Sequence, residues 1–369
     1  MITVKILFFI DGITGGGAEK VLRTLVNNMD QSKFKITVQT LEKSDPAQYL
    51  APGIRYKAIN RCKTPLGLKL FHYWVRLCAE LKWLYPLYIK DEYDIEVAYL
   101  ECGSTKILAG STNKKAKKLA WLHCDLEKRG MDDPERAKSW YDRFDGVVCV
   151  SETVKRSFHK VIGSSTDARV LYNVNDEVDI LKKSAAFEVN KPESVTFLTV
   201  GRLSYEKGID RLLEACKMLK DAGCVFNLWL VGDGPERDTL RKQAASGGLE
   251  RHVKFWGFQE NPYPYMRAAD VIVTPSRYEG FSTVVTEALI LGKPVVTTPC
   301  SGMDELLGDS EIGLITEDSV EGIYQGMKRM LEDAELREHY ARKAAVRGRD
   351  FSKERLVKQT EQFFEELLK

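Results

Sequence analysis

Short apolar runs, each closed by a glycine, serine, proline or strand-end polar group and each followed by helical spacing, recur along all 369 residues. In the first half they fall at 4–10, 34–41, 95–100, 118–123, 146–151 and 169–174; in the second, at 195–200, 226–231, 253–256, 269–274 and 293–298. An unbroken apolar run of this length, without polar alternation, fits a strand buried on both faces. Such strands separated by helices build a parallel sheet with helices on either side. The alternation pauses at 184–194, a polar stretch that reads as a linker, and restarts at Val195. The predicted fold class is therefore α/β, with two doubly wound Rossmann-like domains at 1–183 and 195–350. Residues 351–369 form a closing amphipathic helix carrying Leu356, Val357, Phe363 and Phe364. A chain of this length is long for one core and comfortable for two.

The formal net charge is +2, which gives the chain as a whole no affinity for nucleic acid. Its halves differ: residues 1–185 hold 30 Lys and Arg against 23 Asp and Glu, a net +7, and the remainder 25 against 30, a net −5. The eight cysteines are scattered without a CxxC pair, which speaks against zinc and for a reducing cytosol. No signal peptide is apparent, and no apolar stretch approaches the roughly 20 residues that span a bilayer. Residues 65–88 read as one helix rich in aromatics (Tyr73, Trp74, Trp83, Tyr85) and interleaved with Lys69, Arg76 and Lys82. With Lys114, Lys115, Lys117 and Lys118, it points to a cytoplasmic protein in peripheral contact with an anionic membrane; a helix packed on the sheet is the alternative.

The chemistry is concentrated where strands end. After the run 269–274 comes Pro275-Ser276-Arg277-Tyr278-Glu279-Gly280-Phe281-Ser282-Thr283, and then helical spacing through Val284, Val285, Ala288 and Leu289. Ser282 and Thr283 are N-cap candidates, and the free amides of such a helix start favour an anion, phosphate above all. Glu279 and Glu287 flank that site; a carboxylate can accept two hydroxyl hydrogen bonds, as a sugar diol offers. Read alone, Glu287 fits a solvated helix face equally well. The string Gly201-Arg202-Leu203-Ser204-Tyr205-Glu206-Lys207-Gly208 sets two cations before a helix, which suits a diphosphate. Gly232 closes the run 226–231, and Gly257-Phe258 the run 253–256. In the first half, Gly15-Gly16-Gly17 separates a strand from a helix but lacks the spacing of a dinucleotide fingerprint. His123 stands at a strand's carboxyl end, the edge that faces ligands in open α/β sheets, with Asp125 and Asn173 as weaker polar candidates. Asp132-Asp133 and Asp91-Glu92-Tyr93-Asp94 do not follow apolar strands as a metal-binding DxD would, so no metal site is expected.

The stretch from Pro275 to Leu289, with two glutamates separated by seven residues, resembles the E-x7-E signature of the retaining family 4 glycosyltransferases. The G-R-L-x-x-x-K-G string resembles that family's too. The resemblance covers most of 195–345; before 185 it rests on the glycine loop, the strand order and His123. It implies the GT-B architecture, two Rossmann-like domains facing a cleft, with the last helix crossing back to the first domain. It implies that Glu279 contacts the donor sugar, Glu287 the ribose, and the amides of Gly280, Phe281, Ser282 and Thr283 the diphosphate. By the same resemblance Arg202 and Lys207 neutralise the pyrophosphate, Gly16, Gly17 and Gly232 approach the nucleotide, and Phe258 marks the place of the base. His123 then lies beside the donor sugar, and Asp125 and Asn173 on the acceptor side. The expected activity is metal- and cofactor-independent transfer of a hexose from a nucleotide-diphosphate sugar, a UDP-sugar for preference, to a saccharide. The acceptor would be lipid-linked, in bacterial polysaccharide assembly. A GDP-sugar (mannosyl) transferase, a GT-B nucleotide-sugar epimerase and a non-catalytic nucleotide-sugar-binding subunit are the alternatives.

Overall fold

A computed structural model describes residues 3–60, 65–80, 82–131 and 133–369. Asp132, weighed above as part of a metal motif, lies outside the described residues. The chain forms two compact units, Met1–Val174 with Lys353–Lys369, and Asn175–Ser352.

The first unit is a seven-stranded parallel sheet of β1 (Val4–Ile10), β2 (Phe34–Glu42), β3 (Arg55–Asn60), β4 (Ile95–Ala98), β5 (Lys117–Leu122), β6 (Gly146–Cys149) and β7 (Ala168–Val170). Its order is β3-β2-β1-β4-β5-β6-β7. The second is a six-stranded parallel sheet of β8 (Thr196–Val200), β9 (Asn227–Val231), β10 (Val253–Gly257), β11 (Val271–Thr274), β12 (Val295–Thr297) and β13 (Leu314–Ile315), ordered β10-β9-β8-β11-β12-β13. Ile6 to Ile10 are fully buried, as a run covered on both faces should be. In each sheet the order reverses once, beside β1 and beside β8, and strand-end loops diverge there.

The closing helix, Lys353–Leu367, belongs to the first unit, as expected. Phe364 is fully buried and meets Phe8 and Phe34 with ring centres 6.1 and 6.5 Å apart. Glu361 accepts the Asp30 amide at 2.6 Å, and Lys33 pairs with Glu365 at 3.0 Å.

Two expectations need correction. The division falls after Val174 rather than after residue 183, because the helix Glu177–Ser184 packs in the second unit, against the helices Tyr263–Ala268 and Thr283–Ile290. Asn261 donates to the Lys183 carbonyl at 2.9 Å, and Phe187 stacks edge-on to Tyr265 at 5.9 Å. The stretch 184–194 therefore runs within that unit. Second, residues 65–88 are two helices, Pro65–Glu80 and Leu84–Tyr88. Lys82 takes a left-handed conformation (φ 57°), and the Trp83 amide closes back on the Cys78 carbonyl at 2.9 Å, which ends the first helix.

Candidate functional site

The second unit gathers most of the expected donor-binding residues at the carboxyl ends of β8 and β11. The helix after β11 runs Thr283–Ile290, with Val285, Ala288 and Leu289 fully buried. Ser282 caps it, accepting the Val285 amide at 3.4 Å. The cap leaves first-turn amides without partners inside the helix. Phe281 faces inward, 4% exposed, with its ring 6.0 Å from Phe351. It anchors the loop rather than contacting solvent.

Glu279 and Lys207 meet. The Lys207 ammonium donates to Glu279 Oε1 at 2.6 Å, and the buried Ser276 hydroxyl donates to the same oxygen at 2.9 Å. The glutamate side chain is 15% exposed. Burial works to discharge the lysine, but the Glu279 carboxylate, with Glu206 behind it, prevails and holds Lys207 above the usual lysine value. Lys207 closes a 3-10 turn, Tyr205–Lys207, and Gly208 follows in the left-handed region at φ 63°. A Cβ on Gly208 would stand 2.1 Å from the Pro275 carbonyl oxygen, so the two motifs run backbone against backbone. Arg202 is exposed; it joins Ser204 and Lys207 in holding the Glu206 carboxyl below its ordinary value against the effect of burial.

Glu287 is 4% exposed and accepts the Tyr263 hydroxyl at 3.2 Å. Burial first, and then Glu287, push that hydroxyl far above its ordinary value. It is no solvated helix glutamate. Tyr263 was missed from the sequence, since nothing in Asn261-Pro262-Tyr263-Pro264 announces a partner 24 residues away. Gly232 sits at φ 142°, where a Cβ would lie 1.8 Å from the Gly201 carbonyl oxygen; close packing of the ends of β8 and β9 already demands glycine there. Phe258, after β10, is 71% exposed.

The remaining candidates lie in the first unit. Gly16 is the N-cap of the helix Gly17–Asn28, and Gly15 before it has φ 92°. His123 follows β5, its ring 4.8 Å from that of Tyr99 and stacked at 6.4 Å on Trp121. Burial pushes its pKa down to about 4, against the raising effect of Glu101. Its Nε2 atom is buried without a hydrogen-bond partner among the described residues. Its amide donates to Glu101 at 3.1 Å, and Glu101 pairs with Arg129 at 2.9 Å. Asp125 is placed as a structural cap: 3% exposed, it accepts the Glu127 and Lys128 amides and the Ser157 hydroxyl at 3.0, 3.3 and 2.7 Å. Asn173 is buried just beyond β7.

Residues 182–347 match the family model of glycosyl transferases group 1, and residues 15–177 that of glycosyltransferase family 4. Over 197 residues the chain is 36% identical to N-acetylgalactosamine-N,N'-diacetylbacillosaminyl-diphospho-undecaprenol 4-alpha-N-acetylgalactosaminyltransferase of Campylobacter jejuni, with 53% of each chain covered. It is 29% identical to the lipopolysaccharide core biosynthesis glycosyltransferase LpsE of Rhizobium meliloti, covering 57% of this chain and 60% of that one. The chain thus spans little more than half the length of these two relatives. Among solved structures it resembles Anabaena HepE in complex with UDP and glucose, with a TM-score of 0.77 at 23% identity over 98% of this chain and 99% of that one.

Proposed function

The chain belongs to glycosyltransferase family 4, with a group 1 domain behind it, and from that premise we propose a retaining, metal-independent transfer of a hexose from a UDP-sugar to a lipid-linked saccharide during polysaccharide assembly. The observation that carries the reading is the contact of Lys207 with Glu279 beside the Ser282-capped helix start. A diphosphate at those amides offers Lys207 a more strongly charged partner than one carboxylate. Once the lysine turns to phosphate, Glu279 is released to accept sugar hydroxyls. Glu287, held by Tyr263, is left to bind the ribose.

In this reaction the anomeric C–O bond to the β-phosphate breaks while the acceptor oxygen bonds to the same carbon from the same face. The acceptor's proton passes to the departing phosphate oxygen. Lys207, Arg202 and the helix amides stabilise the charge that develops there, and a preorganised donor of this kind is worth about 2.7–4 kcal/mol. The UDP in the HepE complex supports the choice of nucleotide, and the undecaprenol-linked substrate in the name of the Campylobacter relative supports the acceptor class.

A thermal-shift screen against UDP, GDP, ADP and their sugars, with and without EDTA, tests the donor. UDP at 100 Kd is expected to add about 2.7 kcal/mol of apparent stability, unchanged by EDTA. No shift with any nucleotide, or one that chelation removes, would contradict the proposal.

For a lipid-linked acceptor the enzyme has to work at a membrane surface. No described helix is long and apolar enough to cross a bilayer. Leu70, Tyr73, Leu77, Trp83 and Leu87 are all about half exposed or more, and Lys114, Lys115 and Lys117 are exposed in the same unit. The side chains of Lys69 and Arg76, counted in the same surface from the sequence, lie outside the described ones. Apolar side chains with lysines suit the interface of an anionic leaflet. The protein is expected to float with anionic liposomes at low salt and to be released as salt screens the lysines. Failure to float at low salt would remove the membrane contact.

A further inference from the structure

Lys207 and Glu279 lie 72 residues apart, and one side chain spans the seam between their segments. Arg277, two residues before Glu279, reaches Asp210 in the first turn of the helix Ile209–Asp221. Its Nη1 donates to Oδ1 at 2.7 Å and its Nη2 to Oδ2 at 2.6 Å, a two-pronged pair. Nη1 also donates to the Tyr205 carbonyl at 2.7 Å, and the guanidinium lies 4.1 Å from the centre of the Tyr205 ring. The Arg277 amide donates to the Glu206 carbonyl at 2.8 Å. Tyr205 and Glu206 are the turn that ends in Lys207, so one arginine holds the loop of Glu279, the turn of Lys207 and the helix behind it. The Arg277 and Asp210 side chains are 19% and 34% exposed, which shields the pair from the screening that weakens open surface pairs.

The Lys207–Glu279 contact also ties these segments, but a diphosphate competes for it. Arg277 and Asp210 are bonded to each other through both carboxylate oxygens, and Arg277 to the Tyr205 carbonyl as well, so their charges are already matched within the protein.

Resting on the donor reading above, we propose that Arg277 and Asp210 are a positioning pair for the donor diphosphate. They keep Lys207 and Glu279 in register after phosphate has taken the lysine's charge. The pair acts through Lys207, so its effect should appear where the β-phosphate is read and not where the nucleoside is.

The test is calorimetric titration of the full chain and of its Asp210→Asn, Asp210→Glu, Arg277→Gln and Arg277→Lys variants with UDP and UMP, and with GDP and GMP in parallel. Asp210→Asn and Arg277→Gln are expected to weaken diphosphate binding roughly tenfold and to leave monophosphate binding within about twofold. Asp210→Glu should retain most of the diphosphate affinity. Arg277→Lys should fall between, because an ammonium keeps the charge without the fork. Should the Asn and Gln variants fail to fold, the two conservative variants decide by the same ratio. Equal losses for mono- and diphosphates, or no loss for either, would overturn the positioning role. Wild-type protein that binds none of the four nucleotides would instead overturn the donor reading, and this inference with it.

Discussion

Lys207→Ala is expected to lower turnover about 10²–10³-fold, the scale seen when one preorganised donor to a developing anion is removed. Two effects combine. The departing phosphate loses a cation that the structure holds fully charged. Glu279, 15% exposed, loses its counter-ion and keeps the hydrogen bond from the Ser276 hydroxyl. Its charge then repels the diphosphate, so the donor KM should rise along with the fall in kcat. The second effect has its own control. Lys207→Ala combined with Glu279→Gln removes the repulsion and should recover part of the lost donor affinity without restoring turnover. Such non-additivity is expected of residues in contact. Initial rates at varied donor concentration would decide the matter. A Lys207→Ala enzyme within tenfold of wild type would show that the lysine does not stabilise the leaving group.

Gly232→Ala should be among the most damaging single substitutions for folding, costing about 4–5 kcal/mol. A methyl group there would meet the Gly201 carbonyl oxygen at 1.8 Å and its carbon at 2.9 Å, and neither is the end of a flexible side chain. The φ of 142° is strained for any residue with a side chain. Relief would require β8 and β9 to part at their ends, where the Gly201 amide bonds the Val231 carbonyl at 3.0 Å. Gly163→Ala separates conformation from collision. That glycine ends the helix Glu152–Ile162 at φ 61° with open space around it, so alanine should cost only about 1–2 kcal/mol. Urea denaturation of the two variants measures the difference. Equal costs would mean that close approach contributes nothing at Gly232.

Most strands of both sheets could be read from the sequence because a strand covered on both faces leaves an unbroken apolar run, and Val4–Ile10 and Val271–Thr274 are such runs, whereas the half-buried edge strand Arg55–Asn60 leaves none. The loops could be read because a backbone that must pass within van der Waals distance of another demands glycine, as at Gly208 and Gly232. Tertiary partnership could not. Glu177–Ser184 looks like any amphipathic helix, and only its packing against Tyr263–Ala268 assigns it to the second unit. The meeting of Lys207 with Glu279, the grip of Tyr263 on Glu287 and the reach of Arg277 to Asp210 join distant residues with no local trace. Asp125 differs, because Asp125-Leu126-Glu127-Lys128 is a helix-start pattern and its capping role is legible in the sequence itself.

The return of Lys353–Leu367 to the first sheet has a consequence for biosynthesis. The second unit is a single stretch, 175–352, and can close as soon as the ribosome has released it. The first begins earlier yet has to wait, with the apolar surface around Phe8 and Phe34 uncovered, until residues 353–369 emerge. The part of the chain made first is thus completed last. During that interval its uncovered apolar face is where a nascent-chain chaperone would bind, and where translation stalled before residue 353 would leave an aggregation-prone product.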